Sequence, residues 1–213
     1  MASRKGSSSS KEKIVVGGHL DSRDLATGAI DNGIGSFSVM DMARTFSALK
    51  LRPKRTIEFV MFIGEEQGLL GSKAYVNKSV KDDTADQIRY MLNYDMSNDP
   101  KGFNSSSPES KELFQQIGNL ISTIDTSFKN LFTSLAFLHS NHQPFMLQDI
   151  PTGGASGGRL PNNSGRCYHA DCDVFDLVDE QGLKNTVRFN SMLIYGLADV
   201  SEITAKHLTD TQT

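Results

Sequence analysis

Several features are missing from this sequence, and each absence narrows the readings open to it. No apolar run approaches the roughly 18 consecutive residues that span a bilayer. The N-terminus lacks the apolar core of a signal peptide. Charge of one sign is not in excess: 22 Lys and Arg against 25 Asp and Glu leave a formal net charge of −3, with no footprint for nucleic acid or an anionic membrane. Tryptophan is absent, and the two cysteines permit one short disulfide or two buried thiols. No internal repeat is visible. What is there is a 213-residue chain, 38% hydrophobic, long enough to bury the core of one domain. The expectation is a soluble domain with no membrane span, no nucleic-acid partner and no visible address.

Residues 1–12 (MASRKGSSSSKE) are polar and of low complexity, and read as a flexible arm ahead of a domain spanning 13–213. From Lys13 onward, short apolar runs alternate with helical periodicities, the pattern of an α/β domain with a mostly parallel central sheet. Ile14-Val15-Val16 reads as a buried strand. A turn over 24–33 leads to a helix over 34–49, with Ile34, Phe37, Met40, Ala43 and Phe46 as its buried stripe. Strands are expected over 56–63, 88–94 and 133–138, and helices over 67–77 and 180–203. Ser107-Pro108-Glu109-Ser110 opens a further amphipathic helix carrying Leu113, Phe114, Ile117, Leu120 and Ile121. The glycine-rich stretch 152–159 lacks the Gly-Lys-Ser/Thr ending of a phosphate loop, and is expected to be a mobile wall near His169.

Metal-ligand residues recur at the C-terminal ends of the predicted strands or in the loops after them, where open α/β sheets bind ligands. His19 and Asp21 follow the first strand, two apart and therefore on one face. An Asp against the far nitrogen of a ligating His is a usual orienting contact in zinc sites. Asp31 sits in GAIDNG, Glu65 and Glu66 follow the strand TIEFVMFI, Asp95 lies in NYDM, and His169 in CYHADCD. Each has a bland alternative: Asp31 as a helix cap, the glutamates as first-turn acids, His169 as a surface residue. Five recurrences in one chain outweigh those alternatives.

In GGHLDS at 17–22, GAIDNGIG at 28–35, LRPKRTIEFVMFIGEEQGLLGS at 51–72, NYDMSND at 93–99 and YHADCD at 168–173, the chain resembles the di-zinc aminopeptidases and their carboxypeptidase Q relatives. The resemblance implies a three-layer α/β/α zinc-exopeptidase fold and a hydrolase that removes the N-terminal residue of a peptide or dipeptide. It implies that His19 and Asp95 hold one Zn²⁺, Glu66 and His169 the other, and that Asp31 bridges them; Co²⁺ or Mn²⁺ would also suit such ligands. Glu65 would be the general base, Asp21 would orient His19, and Tyr168 would face the oxyanion. Family members are often exported, which is the basis for expecting a secreted or periplasmic protein.

The chain also departs from the family. Further elements usually precede the His-x-Asp strand, so the expectation is either an N-terminally truncated domain or a sheet that lacks one edge. An uncovered sheet edge would invite self-association, and a homo-oligomer is an open expectation. Asn141 stands where the family shows Asp in a Ser-Asp-His turn, and the neighbouring His139 and His142 read as surface or pocket-rim residues rather than ligands. Two rival readings stay open: a glutaminyl-cyclase-like acyltransferase with one zinc, and a non-catalytic peptidase-like binding domain.

Overall fold

Strand β2 (Ser9–His19) runs between two parallel neighbours in a computed structural model that describes residues 1–134 and 138–203. Its sequence explains the layering. Ile14 and Val16 point into a cluster with Val39, Met42 and Phe46 of helix α1 (Ile34–Ala48), whereas Val15 points to the opposite face, toward Val76 and Phe145. Successive strand residues face opposite sides, so a continuous β-branched run requires cover on both faces. The sheet has seven strands in the order β1-β3-β2-β4-β7-β5-β6. Strands β2, β3 (Arg55–Phe62), β4 (Ile88–Asn93) and β7 (Thr152–Ser156) are parallel; β5 (Gly102–Ser105) is antiparallel to β7 and parallel to β6 (Leu131–Ser134). Helices α1, α3 (Lys111–Ile124) and α5 (Glu180–Asp199) bury the larger core. Helices α2 (Leu70–Lys81) and α4 (Gln143–Met146) cover the smaller one. No described helix is long and apolar enough to cross a membrane.

Residues 1–12 are not a flexible arm. Ala2–Arg4 forms β1, antiparallel to β3, and β2 already begins at Ser9. Between them the Ser7 and Ser9 amides donate to the carbonyls of Pro53 and Lys54. Strand pairing uses main-chain N–H and C=O groups, which every one of these polar residues carries, so low complexity did not forbid it. The edge beside β3 is thereby covered by a short strand.

The helix over 34–49 forms, but its buried stripe is Ile34, Val39, Met42 and Phe46, while Phe37 and Met40 are 61% and 52% exposed. A spacing of three drifts off a face whose period is 3.6. The same drift leaves Leu120 of α3 exposed while Phe114, Ile117 and Ile121 are buried. Helix α2 starts at Leu70 rather than 67, because residues 65–69 are spent in a turn with Gly64, Gly68 and Leu69 at positive φ. The stretch 152–156 is a strand paired on both sides, not a mobile wall. Of the strand expected over 133–138, β6 takes the start and residues 135–137 lie outside the described residues.

Parallel register aligns the C-terminal ends of the central strands. His19 pairs with Phe62, and Gly17 with Asn93, so the chain leaves β2, β3 and β4 side by side. Close packing there demands glycine: a Cβ on Gly35 would meet Asn32 Oδ1 at 2.1 Å and the Tyr94 carbonyl at 2.3 Å. Phe114 is fully buried between Tyr90, Phe103 and Phe132. Phe114→Ala is expected to cost about 3–5 kcal/mol, read as a lowered midpoint in urea unfolding with an unchanged slope.

Candidate metal centre

His19 is the last residue of β2 and is buried. Its Nδ1 lies 2.9 Å from the Asp21 main-chain oxygen, and a carbonyl only accepts, so Nδ1 carries the proton. Nε2 is therefore the nitrogen turned to the acids, 3.2 Å from Asp31 Oδ1 and 3.5 Å from Asp95 Oδ1. The other oxygen of Asp31, Oδ2, lies 3.1 Å from Nε2 of His169, which is also 3.4 Å from Glu66 Oε2. Two groups result, His19–Asp31–Asp95 and Asp31–Glu66–His169, each with ligand atoms within 4.8 Å of one another. Asp31 belongs to both and turns one oxygen to each.

All five sequence-predicted ligands thus meet, although they come from five separate segments. Asp31 lies in the turn Ala29–Gly33 with non-helical dihedral angles (φ −111°, ψ 89°), and its peptide bond to Asn32 is cis. Glu65 and Glu66 follow Gly64, whose φ of 73° is open to glycine without strain and turns the chain out of β3. Asp95 follows β4, and its Oδ2 accepts from the Ser140 hydroxyl at 2.7 Å. His169 adopts φ 55° in a loop closed by a Cys167–Cys172 disulfide, and the Tyr168 ring stacks on its imidazole at 3.7 Å.

The donors fit a metal. Glu66 Oε1 is buried without a hydrogen-bond partner among the described residues, and Asp95 Oδ1 has His19 Nε2 at the long distance of 3.5 Å; such oxygens cost free energy unless a cation satisfies them. Protons answer the same demand. Burial pulls the His19 imidazole down, but hydrogen bonds to Asp31 and Asp95 outweigh it and hold the group up to about 11. Burial opposes the ionised form of Asp95 too, yet His19 and Ser140 hold its carboxyl below the usual range. Burial, reinforced by Asp31, raises Glu66. Burial likewise pushes Glu65 up to about 7.

Asp21 differs from its expected role. The contact that orients His19 comes from its main-chain oxygen, while its carboxylate stays 3.8 Å from Nδ1. The carboxylate instead accepts the backbone N–H groups of Glu65 and Glu66, at 3.2 and 3.1 Å. Sequence reasoning missed a second clamp of the same kind. Asp173, buried, accepts from the N–H groups of Ile30 and Asp31 at 2.7 and 2.9 Å. Its one sequence signal was its place four residues after His169, which gave no hint of a partner 142 positions away. Also missed was Ser140, which links Asp95 to the amide of Asn93.

A cavity of about 380 Å³ opens beside the cluster, lined by Glu65, Asp95, Asn93, Asn104, Thr152 and His169 among others. His139 and His142 line it as well, the second of the two places the sequence left open for them. Asn141 is fully buried, with both amide atoms unpartnered among the described residues. Tyr168 lines the cavity at 54% exposure. Burial and the surrounding carboxylates raise its phenol, which keeps it a hydrogen-bond donor.

Comparison with known proteins bears on the family and the fold. The chain is 30% identical over 195 residues to leupeptin-inactivating enzyme 1 of Streptomyces exfoliatus, covering 80% of this chain and 42% of that protein. It is 28% identical to aminopeptidase Y of Saccharomyces cerevisiae, covering 75% of this chain and 31% of the relative. Among solved structures, a peptidase M28 precursor from Shewanella amazonensis superimposes with a TM-score of 0.83 at 22% identity, over 99% of this chain and 46% of that one. A zinc aminopeptidase from Bacillus subtilis gives 0.74 at 21% identity, over 99% and 52%. The chain therefore spans less than half the length of the first two relatives and about half that of the solved structures. The family profile itself matches residues 1–194, and on that match the chain belongs to peptidase family M28.

Proposed function

We propose that this chain is a metal-dependent exopeptidase that releases the N-terminal residue of a peptide or dipeptide carrying a free amine. One observation carries the reading: Asp31 directs its two oxygens at His19 and His169, with Asp95 and Glu66 completing the two groups and Glu65 beside them. In its finer form the proposal is two ions, one on His19 and Asp95, one on Glu66 and His169, sharing Asp31. Imidazole and carboxylate donors suit zinc, and Co²⁺ or Mn²⁺ as alternatives. The printed names of the relatives, aminopeptidase Y and a zinc aminopeptidase, point the same way. Two groups sharing one carboxylate favour this reading over a single-zinc acyltransferase, and an intact Glu65 favours it over a non-catalytic domain.

Zinc bound there supplies Lewis acidity and makes water nucleophilic near neutral pH. The chain's own residues do the rest. Asp31, Asp95 and Glu66 would hold the ions, whose open positions would supply a seat for the substrate's free amine. Glu65 takes a proton from the attacking water as its oxygen adds to the scissile carbonyl carbon. It returns that proton to the amine as the C–N bond breaks. The protonated Tyr168 phenol can donate to the oxyanion. The Asp21 clamp holds Glu65 and Glu66 at a constant offset, and Asp173 does the same for Asp31. The Cys167–Cys172 disulfide is of a kind that persists in oxidising compartments, which supports an exported protein.

Elemental analysis after dialysis against trace zinc is expected to give two ions per chain, and one for Glu66→Gln. A single ion in the unaltered protein would overturn the two-ion form. Glu65→Gln should retain zinc and lose about 10²–10⁴-fold in kcat. Glu65 accepts a proton only when ionised, so kcat/KM should rise with pH along an acidic limb. Burial sets that limb near 7, and bound cations, favouring the carboxylate, move it lower; Glu65→Gln should abolish it. Asp173→Asn turns an accepting oxygen into a donor facing an N–H. It should weaken zinc retention about tenfold in chelator competition, on the scale of one lost charge-assisted hydrogen bond.

A further inference from the structure

A second cavity, also about 380 Å³, opens from the same cluster and shares Glu65, His139, Tyr168 and His169 with the first. The two differ in how they end. The second ends on Arg23, Gly68, Lys73 and Leu138, all exposed at the surface. The first runs back to the sheet, where Thr152 and Gly153 are buried and Asn104 of β5 pairs with Gly154 of β7. The first residue of a peptide ends at its side chain, whereas the second is followed by the rest of the substrate. The blind cavity therefore suits the first side chain, and the open one the departing residue.

The blind cavity is polar without being charged. With two divalent ions bound, the carboxylates of Asp31, Glu65, Glu66 and Asp95 are matched charge for charge. Beyond those groups its wall carries no Asp, Glu, Lys or Arg. Of its two further histidines, His139 is exposed, and His142 turns Nδ1 to the amide nitrogen of Asn93 at 3.4 Å. An NH₂ group donates, so that Nδ1 accepts and the ring is neutral. The wall does carry two carboxamides, each fixed by its NH₂ group. Asn104 Nδ2 donates to the Ala155 carbonyl at 2.9 Å, and Asn93 Nδ2 to the Ser140 hydroxyl at 2.9 Å. What each has left to offer is its oxygen, which only accepts. Asn93 Oδ1 is buried with no hydrogen-bond partner among the described residues.

Building on the exopeptidase reading, we infer that the blind cavity seats the side chain of the released residue, and that Asn104, together with Asn93, selects an uncharged side chain that donates a hydrogen bond: Asn, Gln, Ser or Thr. A charged side chain entering there loses its water and finds no counter-charge. An apolar one of the same shape fits, but it displaces water from the carboxamide oxygens and gives them nothing in return. Sites built to hydrogen-bond a substrate discriminate for that reason against the analogue that lacks the polar group.

The test compares Asn-Ala, Leu-Ala, Lys-Ala and Asp-Ala as substrates of the zinc-loaded protein, Asn and Leu being close in shape and different in the amide. Asn-Ala is expected to exceed Leu-Ala in kcat/KM by about tenfold or more, the scale of one acceptor satisfied rather than stripped of water. Asn104→Leu should erase that difference, and a ratio taken within one preparation does not depend on how much of it is folded. Calorimetric binding of Asn-Ala and Leu-Ala to zinc-loaded Glu65→Gln should rank the two in the same order without turnover. Leu-Ala cleaved as well as Asn-Ala, or a lead for Lys-Ala or Asp-Ala, would overturn the inference while leaving the exopeptidase reading intact. An unchanged ratio in Asn104→Leu would overturn the role given to Asn104. Cleavage of none of the four would overturn the exopeptidase reading itself, and the inference with it.

Discussion

The carboxylate of Asp31, lodged between the imidazoles of His19 and His169, is the contact on which the site depends. Around it Glu65, Glu66 and Asp95 converge in partly desolvated space. Like charges this close repel, and burial strengthens the repulsion. Such an arrangement persists only when positive charge answers it, from a proton on His19 or from divalent ions. The raised His19 and the unpartnered Oε1 of Glu66 among the described residues are two expressions of that one demand.

Holding such groups in place falls to hydrogen bonds donated by the main chain. Asp21 and Asp173 each spend both carboxylate oxygens on consecutive backbone N–H groups, one pair under Glu65–Glu66 and the other at Ile30–Asp31. The two clamps tie the loop after β2 to the loop after β3, and the disulfide-closed loop to the turn that carries Asp31. His169 and Asp173 ride on the same loop, so a ligand for one group and the support of the shared carboxylate move together. Asn32 adds a third tie, donating to the Tyr94 carbonyl and accepting from the Met96 amide on either side of Asp95.

Much of this was legible in the sequence because its signals are local. The buried strands show as β-branched and apolar runs, and five acid or imidazole groups recur after those runs in an order that carries the family resemblance. The strands β1, β5 and β7 were not legible. Ser3, Asn104 and Gly153 offer no hydrophobic pattern, and such strands exist because a neighbour presents unpaired N–H and C=O groups. The stripe on α1 was misplaced for a different reason. Phe37 and Met40 are apolar, but which arc of a helix is buried depends on where α5 and the sheet lie against it.

By itself, then, the sequence determined the α/β class, the elements with strong periodicity, the family and the identity of the five converging acid and imidazole residues. Those properties follow from residue type and spacing along the chain. Tertiary structure alone decided that Asp31 turns one oxygen to each histidine, that Asp21 orients His19 through its carbonyl rather than its carboxylate, and that Asp173 supports a turn 142 residues away. It also decided that Asn93 and Asn104, unremarkable in sequence, share one wall. Each of those facts is a distance between atoms remote in sequence, set by the parallel register that brings the ends of β2, β3 and β4 together.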